Sequence, residues 1–154
     1  MKYIQNKSLL RFLVVMMSGL TFANAEILQF KSGVAIDTNT KLMWQNNNDA
    51  IDLKIQPNWH GAVEYCENLS LAQFDDWKLP DRHTLKTLHL KKNSLQLDYI
   101  LYHYWSYSSE ADNLEWAWCV DIHDNDPDQN RHKDDGYAHV RCVRDGSSEY
   151  KSTK

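Results

Sequence analysis

An export signal with three cysteines behind it restricts this chain more than any other feature. Lys2, Lys7 and Arg11 make a basic opening, and no acidic residue occurs before Glu26. The apolar run Phe12-Leu13-Val14-Val15-Met16-Met17 follows, and Ala23-Asn24-Ala25 places small residues at −3 and −1 of a cleavage site. The apolar core is about ten residues, well short of the roughly 20 that a spanning helix needs. No cysteine follows it to carry a lipid. The expectation is a signal peptide over 1–25, a mature chain over 26–154 with no membrane span, and a periplasmic or secreted product. In that compartment cysteines pair.

The mature chain holds Cys66, Cys119 and Cys142, so one pair leaves one over. Cys66–Cys142 would tie the first helix to the last strand. Cys119–Cys142 would join strands read as neighbours. Spacing alone does not choose between them. For the 66–142 loop, the chain-entropy model gives about 4–5 kcal/mol. An unpaired Cys119 is expected to be a buried small apolar residue.

Charge narrows the partners. Losing Lys2, Lys7 and Arg11 leaves 14 Lys+Arg against 21 Asp+Glu, and the formal net charge moves from −4 to −7. An acidic domain is a poor partner for nucleic acid or for an anionic membrane surface. Six Trp and eight Tyr against five Gly and three Pro describe a globular chain with a substantial core.

Periodicity supplies the elements. Val34-Ala35-Ile36 and Leu42-Met43-Trp44 flank turn chemistry at Asp37-Thr38-Asn39-Thr40, which predicts a hairpin. Asn58 is a good N-cap, and Trp59, Ala62, Val63, Cys66 and Leu69 then share one helical face. Asp81 caps a second predicted helix over about 82–90, with Leu85 and Leu88 inward. Arg82, His83, Lys86, His89, Lys91 and Lys92 form a basic cluster there. Strands are predicted at 105–108, 116–122 and 137–144, with a polar loop over 123–136 and a frayed polar tail from Asp145 to Lys154. Two helices with small antiparallel sheets make the class α+β.

Five blocks then form a pattern. They are Asp37 with Leu42-Met43-Trp44-Gln45; Trp59, Ala62, Tyr65-Cys66, Leu69 and Leu71-Ala72; Asp75-Asp76-Trp77-Lys78-Leu79-Pro80; Tyr104-Trp105-Ser106; and Ala117-Trp118, Val120-Asp121 and Val140-Arg141-Cys142-Val143-Arg144. In these blocks the chain resembles the Lcl C-terminal domain family, over 26–144. The resemblance implies a C-type-lectin-like fold, export from a bacterium, and a disulfide between Cys66 and Cys142. The family's namesake is an adhesin that binds sulfated polysaccharides. A cysteine at position 119, where members often carry an aromatic residue, is this chain's own. No collagen-like repeat precedes the domain.

Site chemistry is sparse. Asp124, Asp126 and Asp128 offer hard oxygen ligands, which makes them weak calcium candidates, but the loop lacks the EF-hand glycine and glutamate. The paired lectin calcium motifs are missing too. The seven histidines are scattered without a zinc spacing, and no Gly-x-Ser-x-Gly elbow occurs. Asp75-Asp76 could pass for paired catalytic carboxylates, but adjacent loop aspartates more often serve turns. The expectation is no enzyme and no required cofactor. Trp44, Trp59, Trp77, Trp105 and Trp118 fall in the family blocks and are expected in the core. Trp116 shares a strand face with Trp118 and, if exposed, can stack on a sugar. Tyr99, Tyr102 and Tyr104 are similar aromatic candidates. Arg82, Lys86, Lys91 and Lys92 can meet sulfates or carboxylates. The leading expectation is a module that binds a glycan or other surface ligand, adhesin-like. A periplasmic protein-interaction or inhibitor domain is the alternative.

Overall fold

The computed structural model describes residues 28–31, 33–46, 57–89, 103–122 and 129–147. In chain order the elements are β1 (Leu28–Lys31), β2 (Val34–Asp37), β3 (Leu42–Gln45), α1 (Trp59–Glu67), α2 (Arg82–Lys86), β4 (His103–Ser109), β5 (Trp116–Asp121), β6 (Gln129–His132) and β7 (Val143–Asp145). They form two antiparallel sheets, ordered β1-β2-β3-β7 and β4-β5-β6. The class is α+β.

The β2–β3 hairpin closes on Asp37. Its carboxylate accepts from the N–H groups of Asn39 and Thr40 and from the Thr40 hydroxyl. Lys41 completes the turn with φ 61°, and its carbonyl accepts the Gly146 N–H at 2.8 Å. A Cβ on Gly146 would lie 2.6 Å from that carbonyl oxygen, so only glycine lets the chain end approach this closely.

Asn58 caps α1 by accepting the Gly61 N–H at 2.9 Å. Ala62 and Cys66 are buried on the predicted face. Cys66 is joined to Cys142, with their Cα atoms 5.5 Å apart. Cys119 is the free cysteine and is buried. Asp81 caps α2, accepting from the N–H and hydroxyl of Thr84. That helix ends at Lys86, four residues before the predicted boundary, and continues only as turns.

The C-terminal third differs most from expectation. The strand predicted over 137–144 reduces to β7, which pairs with β3 rather than β5. Residue 139 runs beside β4 instead, where the His139 carbonyl accepts the Trp105 N–H at 2.9 Å. Val143 also exchanges both backbone bonds with Lys78. Between β4 and β6, β5 is the central strand, and β6 falls inside the stretch read as a loop over 123–136. Asp145 belongs to β7 and Gly146 is tied to Lys41, so the chain stays ordered past the expected start of the tail.

Strand β5 walls both core clusters. Ala117 and Cys119 pack with Trp77, Leu79, Trp105 and Val140. Val120 packs with Trp44, Leu85, Leu88 and Tyr104. Trp44, Trp77 and Trp105 are buried as expected. Trp59 and Trp118 are only half-buried: Trp59 packs against the first cluster from outside, and Trp118 belongs to neither. Two arginines are fully buried, and each meets a partner from far along the chain. The Arg141 Nη1 donates to the Gln45 carbonyl at 2.6 Å. Arg144 makes a two-point pair with Asp76, at 2.5 and 3.0 Å, above the Phe74 ring.

Candidate functional site

The site is built where α2 meets the outer end of the β4–β6 sheet. Leu85 and Leu88 seat α2 on Val120 and Tyr104. Trp116, Trp118 and Val120 share one face of β5 by pleat period. That face therefore begins under the helix and runs outward to two half-buried tryptophans. The Arg82 guanidinium lies 3.9 Å from the centre of the Trp118 ring. The Arg82 N–H donates to Ser108 Oγ at 3.0 Å, which fixes the start of α2 against β4.

An open concavity of about 600 Å³ lies here, lined by Asp81, Arg82, His83, Lys86 and Ser108. Burial raises the Asp81 carboxyl, but hydrogen bonds from Thr84 and the His83 N–H outweigh it and hold the group below its ordinary value. Its charge is thus engaged by the helix start. His83 and Lys86 are exposed and Arg82 is half-buried, so donors dominate the lining. Farther along the same sheet face, Trp116 meets the His132 ring edge-on at 6.0 Å. Asn130, opposite Trp118, donates to Glu110 at 2.7 Å.

Of the residues proposed from sequence, the structure brings Arg82 and Lys86 to one concavity and puts Trp116 on the face that leads to it. Lys91 and Lys92 lie outside the described residues, as do Tyr99, Tyr102 and the calcium candidates Asp124, Asp126 and Asp128. Tyr104 is buried. Sequence reasoning passed over Ser108 and placed Trp118 in the core. The available signal was the Trp116–Trp118 spacing, since two aromatic residues on one strand face beside a basic helix seldom both find cover.

The groups that resembled catalysts have structural duties. Asp76 is held below its ordinary value by the hydrogen bonds it accepts from Arg144. Burial pushes the Cys119 thiol up to about 12, where thiolate is scarce at neutral pH. Among the described residues no cluster of His, Cys, Asp and Glu is arranged to hold a metal. No helix among them is long and apolar enough to cross a membrane.

The fold and the site define a small disulfide-closed α+β module with a donor-rich concavity at one end of its second sheet. The family model of the Lcl C-terminal domain matches residues 33–144, and the chain belongs to that family. No curated protein matches the chain, and no solved structure does.

Proposed function

We propose that the protein is an exported binding module, without catalytic activity, that recognises a glycan through the concavity beside α2. The observation that carries this is the stack of Arg82 on Trp118 at the edge of an open, donor-lined hollow. Trp118 and Trp116 supply rigid aromatic surface, which suits the apolar face of a sugar ring. Arg82, Lys86 and Ser108 supply groups that bind hydroxyl or anionic substituents. Export is supported by family membership and by the Cys66–Cys142 bond. The helix-to-last-segment disulfide and the two small sheets support the C-type-lectin-like reading of the fold. A protein ligand would favour a contiguous apolar patch. Among the described residues only Tyr107 and Leu114 are large, apolar and exposed.

The test is a glycan array at physiological salt, with protein purified from the periplasm of an expression host, in calcium and in chelator. Selective binding is expected, weakened about tenfold by Lys86→Glu, the scale of one lost charged hydrogen bond. Loss in chelator would bring Asp124, Asp126 and Asp128 into the site. A blank array in both buffers would reject the glycan reading and favour a protein partner.

A further inference from the structure

A second cluster of surface side chains lies across β4 from the concavity, and the proposed site does not use it. Ser108 meets the start of α2, whereas its neighbours Tyr107 and Ser109 meet Trp59 and Lys133. The Tyr107 ring is 56% exposed and lies 5.8 Å from the Trp59 ring, tilted by 36°. His60, also exposed, meets Trp59 edge-on at 5.2 Å. Trp59 cannot swing away. Its Nε1 donates to the Ser106 carbonyl at 2.8 Å, and its backbone N–H donates to the Lys133 carbonyl at 2.8 Å.

Lys133 gives the cluster its chemistry. The residue is half-buried, and its ammonium lies 4.2 Å from the centre of the Trp59 ring and donates to Ser109 Oγ at 2.7 Å. No carboxylate of the described residues pairs with it. An ammonium carries three donors, and a hydroxyl and a ring face satisfy it less well than an anion does. Packing of the lysine stem on Trp59 explains the stem. It does not explain a tethered cation with no carboxylate partner among the described residues, beside a tyrosine ring left open to solvent.

We infer that Trp59, His60, Tyr107, Ser109 and Lys133 form a second ligand site for a carboxylated pyranose, a uronic-acid unit of the glycan. The sugar ring stacks on Tyr107 beside Trp59, and its carboxylate takes the open donors of Lys133. The groups are already held in place, so little ordering cost attends binding. This deepens the glycan reading and rests on it.

The probe is unsulfated tetragalacturonate, with its methyl ester and a sulfated neutral tetrasaccharide as comparators, titrated into the whole protein and read by tryptophan fluorescence. The acid is expected to bind, and the ester and the sulfated sugar about tenfold more weakly. Tyr107→Ala should weaken the acid about tenfold. Lys133→Gln should erase the difference between acid and ester. A merely structural role for either residue would lower the melting temperature and spare the affinity, and that result would overturn the site. So would wild-type behaviour in both variants, or stronger binding of the sulfated sugar. If tetragalacturonate fails while the array shows binding sensitive to Lys86→Glu, this site falls and the concavity stands. If both are blank, both fall.

Discussion

The two helices are capped alike and serve differently. Asn58 and Asp81 each accept an N–H from the first turn, at 2.9 and 2.8 Å. Helix α1 then runs nine residues and is bonded covalently through Cys66 to Cys142. Helix α2 runs five, has no covalent tie, and rests on Leu85 and Leu88. A helix that short has little stability of its own. One helix anchors the fold, and the other presents Arg82, His83 and Lys86 at the concavity. Of the two helices the concavity depends on the untied one alone, although a sequence pattern makes them look equivalent.

The largest way to break this contrast is to remove the staple. Cys66→Ala should cost about 2–5 kcal/mol. Thermal melting in oxidising buffer checks it, and an unchanged midpoint would contradict a stabilising bridge. The next effect tests the segment between the helices. Asp76→Ala leaves the buried Arg144 guanidinium without its two-point partner. The cost should be about 1–3 kcal/mol, reduced from that of a fully buried pair because the carboxylate is 56% exposed.

The same pair sets an acid limit. Arg144 holds the folded Asp76 below its ordinary 3.8, so the unfolded chain takes up the proton first. The contribution is therefore complete above the ordinary value and fades as pH falls through the folded one. Urea titrations at pH 6 and pH 3 should show a smaller difference in Asp76→Ala than in wild type. The smallest effect sharpens the comparison directly. Asn58→Ala and Asp81→Ala should each cost about 1 kcal/mol. Only Asp81→Ala should also weaken binding in the concavity, because α2 has no staple to hold its basic face. Equal losses in the two variants at the concavity would erase the distinction.

Helix α1 was legible because Trp59, Ala62, Cys66 and Leu69 repeat at helical spacing behind a good cap. Strand β6 was not. Gln129-Asn130-Arg131-His132 has no apolar alternation, and its place is set by backbone pairing with β5. The 137–144 stretch failed in the opposite way. Its run of buried residues suggests a strand, yet it includes Arg141 and Arg144, which meet the Gln45 carbonyl and the Asp76 carboxylate from far along the chain. The pairing of Cys66 with Cys142 was open on spacing and came from the resemblance. In the site, Arg82 and Lys86 stood out as helix charges. The stacking of Arg82 on Trp118 links residues 36 positions apart and could not be read locally.

The Cys66–Cys142 bond also decides how the molecule responds to a pull. Tension applied at the two chain ends passes through the disulfide and bypasses everything between its cysteines. Strands β1 to β3 and helix α1 can be drawn out, but α2, β4, β5 and β6 lie inside the covalent loop. Arg82, Lys86, Ser108 and Trp118 are all within it, so a ligand held in the concavity is gripped by the part of the chain that carries no load.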